Sequence, residues 1–166
     1  LSVLHDIGAY KTEEIDRMVE FETGDVWEHS IYGYVFLRYL SPLKDWAEAV
    51  LFHHTPAGEL PRLTPGIRDA AQMINLADRM EIFSRSFRQG STLEEVRTRA
   101  AAFLAENRGN QFTDHVTDLF LKADEEYDLF AKLQKGDIEA KLPGWEVIVG
   151  PLEAVQLVKF LKDMQG

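Results

Sequence analysis

"TPGIRDAAQMINLADRMEIFSRSF" occupies residues 64–87. Threonine followed by proline is a helix start: Thr64 is a candidate N-cap and Pro65 suits the first turn. Ile67, Ala71, Ile74 and Asp78 then recur at the spacing of one helix face. A carboxylate therefore ends an apolar stripe. Buried without a partner it would cost roughly several kcal/mol, so Asp78 must be paired, protonated or metal-bound.

Upstream, Ser41-Pro42 repeats the start signature, and its helix is predicted through "LKDWAEAVLFHH". On that helix His54 shares a face with Ala47, Val50 and Leu51. His53 lies about 100° around, beside Trp46, Ala49 and Val50. Further upstream, Thr23-Gly24-Asp25 opens a helix whose apolar positions are Val26, Gly33, Phe36, Leu37 and Leu40, with His29 on the same face. A short helix is predicted over residues 12–22. His5-Asp6 stands at a helix end, with Gly8 as its stop.

Downstream, Gly90 ends the long helix, and Thr92 with Glu95 forms a capping box. Thr113 starts "DHVTDLFLKADEEYDLFAKL", whose stripe Val116, Leu119, Phe120, Ala123, Tyr127 and Phe130 is expected in the core. Only "GWEVIVG" at 144–150 reads as strand. An amphipathic segment comes after Pro151. The fold class is therefore all-α: a bundle of six or seven helices over residues 1–134, with a small C-terminal extension, 135–166, packed on it. Lys135-Gly136-Asp137 marks the boundary. Leu1-Ser2-Val3-Leu4 reads as a helix already in progress, so more chain, and the rest of the first helix, is expected upstream.

Composition narrows the function. The 166 residues are 45% apolar and carry a formal net charge of −10. That suits a globular core and argues against general DNA or RNA binding, which calls for basic surfaces. With no cysteine, disulfides and thiolate metal sites are excluded. Any metal must use His, Asp and Glu, which suits Fe, Mn or Zn. No apolar run approaches the roughly 20 residues of a membrane span, and no signal peptide is visible. A cytoplasmic location is expected. No glycine-rich phosphate loop or G-x-S-x-G elbow is present. Glu125-Glu126 reads as a solvated face and His115 as ordinary surface.

Four of the five histidines, His5, His29, His53 and His54, fall on inward or flanking positions, as do Asp6 and Asp78. Any one of these histidines alone is more often a satisfied core residue than a ligand. A hard or borderline cation held by imidazole and carboxylate would account for all six residues at once.

The order His-Asp, His, His-His, Asp resembles the HD superfamily of metal-dependent phosphohydrolases, and more closely its HD-GYP branch, whose characterised members hydrolyse cyclic di-GMP. The matching segments are "VLHDIG" (3–8), "HSIYG" (29–33), "FHHT" (52–55), "NLADRMEI" (75–82), "RSFR" (85–88) with "TLEEV" (92–96), and "GNQFTDHV" (109–116). They keep the family's order over residues 1–123. The resemblance implies two divalent metals, Fe or Mn favoured, Zn or Ni less specifically. It implies His5 and Asp78 on the first, His29, His53 and His54 on the second, and Asp6 as the catalytic carboxylate bridging both. Arg85 and Arg88 occupy basic positions suited to phosphates.

The chain departs from the pattern at several places. Ala9 stands at the family's lysine position, Gln89 at another, and "TPAGELPRL" (55–63) replaces the Gly-Tyr-Pro loop. The family's ligand from the helix before His-Asp is expected upstream. The function implied is a phosphodiesterase or phosphohydrolase acting on a cyclic dinucleotide or another nucleotide. The alternative is a catalytically degenerate HD-type signalling module that binds metal or nucleotide without turnover. Expected partners are the nucleotide and an upstream sensor or receiver domain. The last segment, with Val155, Val158 and Leu161, suits either a second copy of the chain or capping of the core.

Overall fold

The computed structural model describes residues 1, 4–9 and 27–135. The chain divides after Gln134 into two compact units, and His5, Asp6, His29, His53, His54 and Asp78 all lie in the first. The expected helix over 12–22, the start signal at 23–25, the strand at 144–150 and the segment after Pro151 lie outside the described residues.

Among the described residues there are six α-helices and no strand. They are α1 (Trp27–Leu40), α2 (Ala47–Leu51), α3 (Pro65–Arg85), α4 (Leu93–Asn107), α5 (Asp114–Tyr127) and α6 (Leu129–Lys135). Helix α1 packs on α2, α2 on α3, and α3 on both α4 and α5. The all-α class holds.

Helix α1 buries His29, Ser30, Gly33, Phe36 and Leu37, which recur every three or four residues and form one face. Leu40, expected on that face, is 54% exposed at the helix end. Ser41 does not cap the next helix. Its hydroxyl donates to the Leu37 carbonyl and accepts from the Leu43 N–H, closing α1 and turning the chain. The predicted long helix over 43–54 is correspondingly shorter: a 3₁₀ turn at Lys44–Trp46, then α2 over only five residues. His53 and His54 come next, in a turn whose amides reach back three residues, His53 to Val50 and Thr55 to Phe52.

Residues 4–9 also form tight turns rather than an α-helical end, with Ile7 N–H on the Leu4 carbonyl and Ala9 N–H on that of Asp6. Gly8 is not a left-handed stop, since the positive-φ glycines among the described residues are Gly90 and Gly109. Its role is steric: a Cβ there would fall 2.0 Å from the His29 carbonyl oxygen and 2.6 Å from the Gly33 nitrogen. Gly33 in turn leaves room for Val50, whose Cγ1 would lie 2.9 Å from an added Cβ. Two glycines thus let the His5-Asp6 turn, α1 and α2 meet in near backbone contact.

The long central helix α3 starts at Pro65 as expected, although Thr64 makes no side-chain cap bond. Gly90 (φ 88°) stops the 3₁₀ turn at its end. The Thr92–Glu95 capping box is formed in both directions. The helix predicted over 114–133 breaks at Asp128, which takes a left-handed conformation (φ 54°) while the Asp124 carboxylate accepts the Phe130 N–H. The break changes the expected stripe. Val116 and Phe130 are buried, but Leu119 (42%) and Tyr127 (52%) are exposed.

Leu76, Met80, Val96, Ala100, Leu104, Phe112, Val116 and Phe130 form the main core, with Phe83, Phe103 and Phe120 against it. A second buried feature is polar. Gln72 and Asn75 on α3 donate to the Thr55 carbonyl at 3.0 and 3.4 Å, and the Gln72 side-chain oxygen accepts the Thr113 N–H at 3.2 Å. This network ties the turn carrying the histidine pair to α3 and to the start of α5. The segment after it is tied as well: Ala57 and Gly58 N–H groups bind the carbonyls of Gln111 and Asn110.

Candidate metal centre

Three pieces of chain converge: the His5-Asp6 turn, α1 through His29, and the turn after α2 through His53 and His54. One potential ligand atom from each of Asp6, His29, His53 and His54 lies within 4.8 Å of all the others. Ligands held at about 2.1 Å around one ion stand at most ~4.2 Å apart, so the group needs only slight contraction to close on a cation. These residues could hold a metal ion.

The details favour ligation over packing. His53 is fully buried. Its Nδ1 lies 2.5 Å from the Val50 carbonyl oxygen. A carbonyl only accepts, so Nδ1 carries the proton and Nε2 presents a lone pair. Orientation by a backbone carbonyl is how metal-binding imidazoles are commonly fixed. That Nε2 has no hydrogen-bond partner and faces Asp6 Oδ1, also without one, at 3.7 Å. His29 Nε2 lies 3.5 Å from the same oxygen and 3.0 Å from His54 Nε2. His29 Nε2 and His54 Nε2 share a hydrogen bond, but the unpartnered His53 Nε2 and Asp6 Oδ1 are costly unless something electropositive sits between them. The donor set, three imidazoles and a carboxylate, fits a borderline cation.

His5 and Asp78 stand beside this group. His5 Nε2 is 2.9 Å from Asp6 Oδ2 and 4.0 Å from Asp78 Oδ1. The two Asp6 oxygens therefore face different partners: Oδ2 toward His5, Oδ1 toward His29 and His53. The imidazoles nest closely, with ring centroids 3.9 Å apart for His53–His54 and 5.2 Å for His5–His53.

Electrostatics agree with the geometry. Burial alone would raise the Asp6 pKa, but the neighbouring imidazoles of His5, at 2.9 Å, and His53 outweigh it and hold the carboxyl well below the usual range. Burial, then the neighbouring His53, pushes His29 down to about 4. Burial and the other imidazoles push His54 down to about 2. Neutral His29 and His54 beside an ionised Asp6 are protonation states that suit a cation. Burial raises Asp78 against the pull of His5 and Arg79.

The two arginines stand apart from this group. Arg85 lies seven residues beyond Asp78, about 10 Å along α3, and pairs with Glu81 at 2.7 Å. Arg88 is exposed in the 3₁₀ turn after α3. His115 is exposed, 3.9 Å from Asp69. Sequence reasoning overlooked Arg79, whose charge acts on both His54 and Asp78. Its position next to Asp78 was the available signal. Gln72 and Asn75 were overlooked too, although polar residues among the apolar positions of α3 were visible.

The chain is similar to the 3'3'-cGAMP-specific phosphodiesterase 1 of Vibrio cholerae serotype O1, with 27% identity over 118 residues, 68% of this chain and 27% of that protein. It thus spans about a quarter of the curated relative's length. No family model matches the chain, and no solved structure matches significantly. No helix among the described residues is long and apolar enough to cross a membrane.

Proposed function

We propose that this chain is an HD-type, metal-dependent phosphodiesterase acting on a cyclic dinucleotide. The observation that carries the reading is the convergence of Asp6, His29, His53 and His54 on one small volume. The similarity to a cyclic-dinucleotide phosphodiesterase supports the same reading. His29, His53 and His54 would hold one divalent cation, His5 and Asp78 a second, and Asp6 would bridge them with its two oxygens. Iron or manganese suits these donors, with zinc or nickel less specific. Bound cations supply Lewis acidity, polarising a phosphoryl oxygen and making water more acidic. The chain's own part is to keep the imidazoles neutral and the carboxylate ionised, and to exclude solvent from the buried side of the group. Arg85 and Arg88 would meet phosphate groups at the rim. The reading places the domain boundary near residue 135 and the protein in the cytoplasm. A sensor or receiver domain and a second copy of the chain are the partners it invites.

The degenerate-module alternative draws on Ala9 and on the 55–63 loop, and one experiment separates the two. Metal content is measured by mass spectrometry, and the metal-loaded protein is assayed on 3'3'-cGAMP and cyclic di-GMP. Turnover that disappears in Asp6→Ala is the expected result. Loaded protein that is inert on both, and on a panel of other nucleotides, would overturn the phosphodiesterase reading.

A further inference from the structure

Beside the metal centre is a cleft of about 440 Å³ lined by Arg79, Ile82, Phe83, Phe103, Asn107 and Gln111. Its volume falls within the ~300–1,000 Å³ of small-molecule sites. Two observations place it next to the histidine–aspartate group. Ile82 is one helical turn beyond Asp78, on the same face of α3. Arg79 directly follows Asp78 on α3, and its charge acts on both His54 and Asp78. Gln111 is also joined through its backbone to the segment after the histidine pair.

The lining has the chemistry of a base-reading site. Phe83 and Phe103, partly buried against the core with ring centroids 5.3 Å apart and planes tilted by 57°, put two aromatic rings in the lining, and aromatic side chains are the usual platform for nucleobases. The half-buried Arg79 makes no ion pair or hydrogen bond among the described residues. Asn107 spends its Nδ2 on the Phe103 carbonyl, so its Oδ1 is left as an acceptor. A guanidinium matches the O6 and N7 acceptors of guanine, whereas adenine offers a donor at the first of those positions. The Asn107 oxygen matches guanine's own N–H donors.

We infer that this cleft is a guanine subsite, with Arg79 as its specificity-determining residue and Gln111 as a second polar contact. The inference rests on the nucleotide reading for its biological sense, but the cleft itself needs no metal. It is tested by direct binding to chelator-treated protein, with GMP and AMP as probes in calorimetry or ligand-observed NMR. Wild-type protein is expected to bind GMP at least fivefold more tightly than AMP. Arg79→Met is expected to weaken GMP about tenfold and erase the preference, and Gln111→Ala to weaken it severalfold. Gln111→Ala should keep the wild-type melting profile, and Arg79→Met should keep the wild-type helix content by circular dichroism. Undetectable GMP binding at millimolar concentration, equal binding of GMP and AMP, or unchanged affinity in folded Arg79→Met each overturns the subsite. Turnover of 3'3'-cGAMP by loaded protein reports separately on the phosphodiesterase reading, so either can fail alone.

Discussion

His53 shows how one side chain is committed to a role by its neighbours. Its Nδ1 is fixed on the Val50 carbonyl and its Nε2 is aimed at Asp6. The residues around it make the metal-free protein sensitive to acid. His29 titrates near 4 in the fold against an ordinary 6.5. As pH falls below 6.5 the unfolded chain takes up a proton that the fold refuses. Stability is therefore complete above 6.5 and is lost progressively down to about 4. His54 acts in the same direction over a wider range. Asp6 stabilises above 3.8 and loses that contribution below it. Asp78, whose folded value is raised, works the other way, since protonating it relieves a penalty. Through His29 and His54, the melting temperature of chelator-treated protein is expected to fall from pH 7 to pH 4.5. A melting temperature flat across that interval would contradict the buried, neutral imidazoles.

Secondary-structure elements divide into those set locally and those set by their neighbours. The capping box of α4 is local, and the sequence carries all of it. Thr92→Ala should cost about 1 kcal/mol while leaving metal affinity unchanged. The crossing of the His5-Asp6 turn with α1 is set by contact. Gly8→Ala forces a methyl group into the His29 backbone, and overpacking of this kind costs about 1–3 kcal/mol. Because the strain falls between Asp6 and His29, this variant should also lose metal affinity. Denaturant melts and metal titrations of the two variants, side by side, check both expectations. The same contrast explains the misread helices. Ser41 has the look of a cap, but the free carbonyl of Leu37 takes its hydroxyl. Asp128 breaks a continuous apolar pattern because Asp124 and Arg97 gather around it.

Across the described molecule, the turn bearing two of the candidate metal ligands is tied to a polar brace running through the core. Gln72 joins the Thr55 carbonyl to the Thr113 amide and is itself fully buried. Gln72→Ala would leave the Thr113 amide unsatisfied, at about 1–3 kcal/mol, and the Thr55 carbonyl with only the longer Asn75 bond. It would also free the turn bearing His53 and His54. Lower stability together with weaker metal binding is expected, measured by thermal melting with and without added manganese. Loss of stability with metal affinity unchanged would show that the brace serves only folding.

Sequence alone determined the all-α class, the starts of α3, α4 and α5, and the six histidine and aspartate positions that merit attention. Those features rest on local chemistry: caps, prolines, helical periodicity, and the cost of burying polar groups. Tertiary structure decided the rest. It brought Asp6, His29, His53 and His54 together from three separate stretches of chain, assigned Gly8 and Gly33 to close packing, moved Leu119 and Tyr127 to the surface, and put Arg79 within electrostatic reach of His54. Distances between residues far apart in the chain depend on how helices cross. That depends on side chains meeting across elements, which no periodicity within one element records.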